Sequence, residues 1–239
     1  IGTITVAALS PGMDAMMDVV LRSRRGVNRE QAEKLVPDAR AIAARFPDDP
    51  GVLTALAEAE YDAGNDAEAI AAADAAIARD AAQTNAYVQK GFALFRMAEE
   101  AEGDGIAAAY VTAMKPFEAL NAIEADHPLP LMYYYRSFVQ RKVVPEENAR
   151  AALERASVLA PFDQDLRLNV ALMMIAERKN DLAQLMLAPL AADPHGSGRS
   201  NRAKQLITLL EKTPDGELLD VSVLRESADT PEPSGAGAG

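Results

Sequence analysis

The sequence has no cysteine and no tryptophan, and aromatic residues make up only 5% of its 239 residues. Without cysteine the chain has no disulfide, no thiol nucleophile and no cysteine-ligated zinc site. Basic residues are also outnumbered, with 24 Lys and Arg against 36 Asp and Glu, which gives a formal net charge of −12. Nucleic acids are bound through clustered Lys and Arg that displace counterions, so this acidity argues against a nucleic-acid partner.

Long apolar runs are absent too. No run approaches the roughly 20 residues that a membrane-spanning helix requires, so we expect no membrane insertion. The chain begins at Ile1, and residues 1–8 lack the charged region and the long apolar region of a secretory signal. We interpret this start as a cut and expect a further domain upstream in the same polypeptide.

What the sequence does have is a helical repeat. Hydrophobic residues make up 49% of the chain, and the excess is alanine, which favours helix over strand. Between residues 50 and 161 one helical pattern recurs at a spacing of about 34 residues. A large residue such as Leu53 opens the first helix of a copy, and small residues such as Ala69, Ala73 and Ala76 line the second. One such pair cannot bury its apolar face alone, so stacked copies are needed to form a core.

The apolar periodicity and the breaks between periodic stretches predict a series of helices. Asn28 and Gln31 have the spacing of a capping box at the start of the first one. Pro37 is expected to kink or restart that helix, and Pro116 to split a later one. The predicted helices span residues 29–45, 52–62, 67–79, 84–101, 106–124, 131–141, 146–159, 166–178, 182–191 and 200–212.

The two ends fit the repeat less well. Residues 3–9 are β-rich and end at a turn signal, Ser10-Pro11-Gly12, and residues 18–23 are suited to a returning strand. A helix over residues 13–23 is the alternative. We expect residues 1–27 to be an extended or hairpin lead-in that ends an upstream domain. A repeat domain should follow over residues 28–212, closed by a capping helix at 200–212, and then a flexible tail over 213–239.

These residues resemble the tetratricopeptide repeat family, whose signature is a large residue, Leu-Gly and Tyr in the first helix, then Ala, an aromatic, Ala and Pro in the second. Leu53, Tyr61, Gly64 and Ala69 carry the pattern in residues 50–83. Further copies start at residues 84, 130 and 164, and residues 28–49 look like the second half of a leading copy. The resemblance covers most of residues 28–195. It implies an all-α solenoid of stacked antiparallel helix pairs, wound as a right-handed superhelix.

In that family the first helix of each pair lines a concave groove. The resemblance therefore implies a non-catalytic scaffold that binds a protein or peptide partner and needs no cofactor or metal. The alternative for any single groove residue is that it packs against the adjacent repeat. The residues that the resemblance places in the groove are Tyr61, Phe92, Phe95, Arg96, Tyr134, Phe138, Arg141 and Leu172.

The chain departs from the family at several points. The second full copy carries an insertion around residues 98–114. Members that bind chaperone tails use Lys and Asn in the groove, where this chain has Thr54, Glu58 and Gln89, so the resemblance implies no such carboxylate binding.

The remaining polar and aromatic residues give weaker signals. Consecutive helical residues point about 100° apart, so Tyr133 is expected in the core and Tyr134 in the groove, with Tyr135 undecided. His127 and His195 lack the spacing of metal ligands and are expected in loops, where a histidine can cap a helix. We therefore predict no metal site and no enzyme active site in this chain.

A second resemblance is to exported bacterial proteins that carry such repeats after a peptidase-like domain. It rests on residues 8–12 and 22–27, which look like the junction in those chains. It implies an alternative function, an accessory C-terminal region of a larger secreted or periplasmic hydrolase. The compartment is otherwise undetermined, and this resemblance favours a periplasmic or exported location over a cytoplasmic one.

Overall fold

The computed structural model describes residues 9–23, 28–193 and 198–219, and in these ranges it contains helices and no strands. The predicted all-α class is confirmed. The helices are α1 (Pro11–Ser23), α2 (Arg29–Arg45), α3 (Pro50–Asp62), α4 (Asp66–Arg79), α5 (Thr84–Glu99), α6 (Gly105–Ile123), α7 (Pro128–Gln140), α8 (Glu147–Leu159), α9 (Gln164–Ala176), α10 (Asn180–Ala191) and α11 (Gly198–Leu210).

The chain forms two compact units, unit 1 (Ile1–Ala149) and unit 2 (Arg150–Gly239), with the boundary inside α8. In unit 1 each helix from α1 to α6 packs on the next one along the chain, and α3 also contacts both α1 and α5. In unit 2, α9 packs on α10 and α10 on α11. None of the described helices is long and apolar enough to cross a membrane.

The lead-in is where the structure corrects the prediction. Residues 11–23 form α1, so the returning strand predicted for residues 18–23 was wrong; residues 1–8 and 24–27 lie outside the described ranges. Met16 and Val19 are buried among apolar residues of α2 and α3. Met16 and Val19 are three residues apart, so a helix buries both side chains on one face. This burial outweighed the strand preference of Val19 and Val20. α1 is therefore the first helix of the leading pair, of which α2 is the second.

Gly12 allows the first turn of α1 to lie close against the start of α3. A Cβ atom on Gly12 would lie 2.7 Å from the Val52 side chain and 2.7 Å from Asp49 Oδ2. Ser10 donates a hydrogen bond from its hydroxyl to the same Asp49 carboxylate, which also accepts from the first amides of α3. Asp49 thus caps α3 and ties the start of α1 to it.

Two internal prolines do not interrupt their helices. The capping box of Asn28 and Gln31 is present, and α2 then runs unbroken through Pro37. α6 likewise runs unbroken through Pro116, so the predicted split was wrong. A proline inside a helix costs about 3 kcal/mol, and α6 offsets that cost by burying Phe117 and Leu120 completely.

One buried charge connects the second and third helices of unit 1. Glu60 on α3 is only 2% exposed. Its carboxylate accepts from Arg40 of α2, with Nε at 2.6 Å and Nη2 at 2.9 Å, and from the Asn65 side chain at 2.8 Å. The arrangement satisfies a carboxylate that burial would otherwise strongly disfavour.

Unit 2 ends in a hydrogen-bonded segment that the sequence did not predict. The α11 stripe packs against α10, as expected of a capping helix, with Ala203, Leu206 and Leu210 buried. The chain then turns back, and the buried Asn180 amide donates to the carbonyls of Pro214 at 2.8 Å and Glu217 at 3.0 Å. The flexible tail was therefore predicted to begin too early, since residues 213–219 are held in place. Residues 220–239 lie outside the described ranges.

Candidate functional site

The predicted groove residues of unit 1 lie on α3, α5 and α7, the first helices of their pairs, except Arg141, which directly follows α7. The best-defined group surrounds Arg96. Its Nε lies 2.9 Å from each carboxylate oxygen of Asp66, and its Nη2 donates to the Tyr61 carbonyl at 2.8 Å. The guanidinium carbon lies 4.0 Å from the centre of the Tyr61 ring. The Arg96 guanidinium is therefore held over the face of the Tyr61 ring, in a geometry that favours cation–π attraction.

Aromatic rings continue from Tyr61 into the interior of unit 1. Phe92 on α5 lies 5.7 Å from Tyr61 and 5.4 Å from Tyr133, measured between ring centres. Tyr133 in turn stacks on Phe117 of α6 at 4.5 Å. Tyr61 and Phe92 are half-buried, whereas Tyr133 and Phe117 are buried. Rings spaced in this way stabilise one another, so the exposed end of the series is held by its buried end.

The α7 residues form a second group. Tyr134 is half-buried, and its ring meets that of Phe138 edge-on at 5.4 Å. The Arg141 guanidinium lies 4.8 Å from the centre of the Phe138 ring, and its Nε donates to the Ser137 carbonyl at 2.8 Å. Tyr133 is a core residue as predicted, and the undecided Tyr135 is buried as well.

Burial removes two of the predicted groove residues from the solvent-facing set. Phe95 is 2% exposed and packs edge-on against Tyr110 and Tyr133, and Phe138 is 8% exposed. Both rings are therefore core, and Phe95 is covered by Tyr110 of α6 and Tyr133 of α7. Leu172 is half-buried and packs against the apolar cluster of α9, α10 and α11, so it belongs to unit 2.

We define the α3–α5–α7 face as the predicted groove residues of unit 1 that are not fully buried, together with Asp62, which follows Tyr61 in the sequence. Three residues near this face were missed by the sequence prediction: Asp66, which holds Arg96; Ser23, which donates to Asp62; and Arg136, whose guanidinium lies 4.8 Å from the ring centre of the buried Tyr133. Thirty positions separate Asp66 from Arg96, so no local pattern marks the pair. The face consists of Tyr61, Asp62, Phe92, Arg96, Tyr134 and Arg141.

Asp62 is the carboxylate of this face. Burial raises the pKa of Asp62 above its usual range, while a hydrogen bond from the Ser23 hydroxyl and the charge of Arg96 act in the opposite direction. Ser23 is the last residue of α1, and its hydroxyl oxygen lies 3.0 Å from Asp62 Oδ2. The helix that was predicted to be a hairpin therefore supplies one edge of the site.

His127 positions the α7 part of the face. It precedes α7 as the N-cap, and its Nδ1 accepts a hydrogen bond from the Leu129 amide at 3.3 Å. Burial lowers the pKa of His127 below 6.5, and the nearby Glu124 carboxylate opposes that shift. Only the neutral imidazole can accept this hydrogen bond, so protonation removes the cap.

We expect the free energy of unfolding to fall as the pH drops from about 7.5 to about 5.5. The unfolded chain, with its higher His127 pKa, binds a proton first, so stability is fully present above the unfolded pKa and lost as pH falls through the folded one. Urea denaturation across this range measures the slope. His127→Asn keeps a capping acceptor without the titration, and an equally steep slope in that variant would contradict the assignment.

The described ranges contain no group of three His, Cys, Asp or Glu side chains that could hold a metal ion. The second predicted loop histidine, His195, lies outside those ranges. The chemistry that the α3–α5–α7 face offers is contact through aromatic rings, with two cations, Arg96 and Arg141, and one carboxylate, Asp62, held beside them.

Comparison with known proteins bears on the fold alone. No protein-family model and no curated protein matches the sequence. Among solved structures, the thermophilic TPR protein TTC0263 of Thermus thermophilus superposes with a TM-score of 0.70, at 16% identity, over 83% of this chain and 100% of that one. The chain has a tetratricopeptide-repeat fold.

Other proteins with similar structures agree with this. PilF of Pseudomonas aeruginosa gives a TM-score of 0.63 at 16% identity, over 84% of this chain and 83% of its own. MamA of Desulfovibrio magneticus RS-1, residues 41 to the end, gives 0.51 at 16% identity, over 93% and 100%. Identities this low establish the tetratricopeptide-repeat fold, and function has to be argued from the site.

Proposed function

We propose that this chain is a helical-repeat scaffold that binds a protein or peptide through the α3–α5–α7 face. The main observation in support of the proposal is that the Arg96 guanidinium is held in one position. Asp66 and the Tyr61 carbonyl hold its guanidinium over the Tyr61 ring, while 32% of the Arg96 side chain remains exposed. A side chain that is already immobilised loses little conformational entropy on binding.

The composition of the face favours a partner segment with apolar side chains. Aromatic and arginine side chains dominate binding energy at protein interfaces, and Tyr61, Phe92 and Tyr134 are all half-buried with part of each side chain accessible. Arg96 is paired with Asp66, so its charge is largely neutralised within unit 1. Contact with the rings, and only secondarily with charge, would hold a helix or an extended peptide.

We expect a photocrosslinker at position 134 to capture the partner. Replacing Tyr134 by p-benzoylphenylalanine keeps an aromatic side chain on the exposed part of the face, and illumination in the native host should give a discrete crosslinked product on a denaturing gel. Tyr134 suits the test because its described ring contact is with Phe138 alone, whereas Phe92 contacts three rings and its removal would disturb folding.

The matched control is Val111, which is 59% exposed on α6, the second helix of its pair. The same photocrosslinker there should give no product of that size. Products of equal yield at both positions, or a product at position 111 only, would exclude the α3–α5–α7 face as the binding surface.

The alternative, an accessory region of a larger secreted or periplasmic hydrolase, stays a hypothesis. No described residue tests it, and an accessory region of that kind is compatible with partner binding through this face.

A further inference from the structure

Unit 2 carries large apolar side chains that are exposed to solvent. Phe162, in the turn after α8, is 91% exposed, and Val158 in the last turns of α8 is 78% exposed. On α10, Leu185 is 67% exposed, with Leu182 and Met186 also accessible. We call these five residues the α10 patch. Clustered exposed hydrophobic side chains of this size mark interaction surfaces.

The α10 part of the patch is a stripe on one face of the helix. Leu182, Leu185 and Met186 follow the i, i+3, i+4 spacing that places side chains on one face. The adjacent face, about 100° further around the helix, carries Ala183, Leu187 and Leu190 and is buried in the cluster of unit 2. An ordinary surface helix is apolar on one face only, and α10 is apolar on two.

Charge is missing from this stripe although the protein is strongly acidic. The sequence has no charged residue from Leu182 to Ala192, within a chain of net charge −12. Two copies of such a chain repel one another over most of their surface. A stretch free of charge is where they can approach at least electrostatic cost.

A cavity opens beside the stripe. It has a volume of about 230 Å³ and is lined by Met186 of α10, by Ser157, Ala160 and Pro161 around the end of α8, and by Asp163, Arg167 and Val170 at the start of α9. A volume of about 150 Å³ is enough to hold a benzene ring, and Pro161, Val170 and Met186 form the apolar wall of this pocket. Phe162 directly follows the lining residue Pro161, so an exposed ring and an opening that can receive a ring lie side by side.

We propose that unit 2 forms a symmetric dimer with a second copy of this chain, in which each Phe162 ring enters the cavity beside Met186 of the other copy. In a two-fold interface the same patch serves both partners, so a knob and a hole on one patch are complementary to themselves. Val158, Leu182 and Leu185 then surround the exchanged rings. The patch is small compared with stable interfaces of about 1,600 Å², so we expect a weak dimer with a dissociation constant near micromolar.

Sedimentation equilibrium of the full chain over a range of concentrations tests the proposal. Wild type should show a monomer–dimer equilibrium, and Phe162→Asp should weaken dimerisation about tenfold or more, as expected for a central aromatic side chain. Because Phe162 is almost fully exposed, we expect this substitution to leave the fold intact, and circular dichroism of the variant checks this. The matched control Val111→Asp introduces the same charge at an exposed site of unit 1 and should leave the equilibrium unchanged.

Engineered disulfides identify the contact itself. The natural sequence has no cysteine, so Phe162→Cys and Met186→Cys each introduce one thiol. Mixing the two variants under mild oxidation should give a mixed disulfide-linked dimer, in higher yield than either variant alone, because the proposal places position 162 of one copy against position 186 of the other.

Four results would overturn the proposal. A monomer at all concentrations excludes the dimer, and a dimer that Phe162→Asp leaves intact excludes this surface. Dimerisation that appears only after residues 220–239 are deleted would show that the chain's own end covers the patch. Retention of a different protein that Phe162→Asp releases, with the purified chain monomeric, would make the occupant a heterologous partner.

Discussion

Replacing Gly91 by alanine is expected to destabilise unit 1 by about 2 kcal/mol. A Cβ atom at Gly91 would lie 2.5, 2.7 and 2.8 Å from three carbons of the Phe117 ring, closer than real Cβ contacts. Phe117 is fully buried and stacks on Tyr133, so its ring has no free space to move into. The clash exceeds the roughly 1 kcal/mol that alanine normally gains over glycine inside a helix.

Chemical denaturation at neutral pH measures this effect, and another glycine supplies the control. A Cβ atom at Gly105, at the start of α6, meets nothing within 4 Å, so Gly105→Ala should be neutral or slightly stabilising. Adding Phe117→Leu to Gly91→Ala should recover part of the loss, because the smaller side chain vacates the space. Equal stability of the Gly91 and Gly105 variants would show that α5 and α6 separate at no cost.

Replacing Arg40 by methionine is expected to cost about 2–3 kcal/mol of unfolding free energy. Glu60 would lose two of its three charge-assisted hydrogen bonds and keep only Asn65, in a position that is 2% exposed. Methionine keeps the apolar stem of Arg40, so packing changes little. The cost is below that of a fully buried pair, because about half of the Arg40 side chain is exposed and water can reach the vacated space.

The surface pair of Arg79 and Asp48 makes a fitting comparison. Arg79 Nε lies 2.8 Å from Asp48 Oδ1, but both side chains are exposed. Arg79→Met should therefore change the free energy of unfolding by less than about 1 kcal/mol. In the Arg40→Met background, Glu60→Gln should restore stability, because a neutral amide costs less to bury than a carboxylate. Urea denaturation measures both variants. If Arg40→Met lowers the urea midpoint no more than Arg79→Met does, burial of Glu60 does not require the hydrogen bonds from Arg40.

Local chemistry accounts for the parts of the fold that the sequence predicted. The capping box of Asn28, the proline at the start of α3 and the alanine-lined second helices are features of short segments, and each is present. Prediction failed where distant packing outweighed local preference. The valines of α1 favour a strand in isolation, and the polar residues 213–219 look like a tail until the buried Asn180 amide is considered.

The candidate site shows the same division. Helical spacing predicted the buried Tyr133 apart from the half-buried Tyr134, since one residue along a helix turns a side chain by about 100°. Spacing could not show that α6, the second helix of the same copy, brings Tyr110 against Phe95. Nor could it show that Asp66 holds Arg96 or that Ser23 reaches Asp62, because these contacts join separate helices.

The side-chain amide of Asn180 binds the backbone carbonyls of Pro214 and Glu217, and this determines where unit 2 ends. Asn180 opens α10, yet its acceptors belong to residues that follow α11, and Leu219 contributes its side chain to the same apolar cluster. A boundary drawn at the end of the final helix would therefore cut through a cooperative structure. The minimal autonomous segment extends at least to Leu219, and helix limits alone underestimate it.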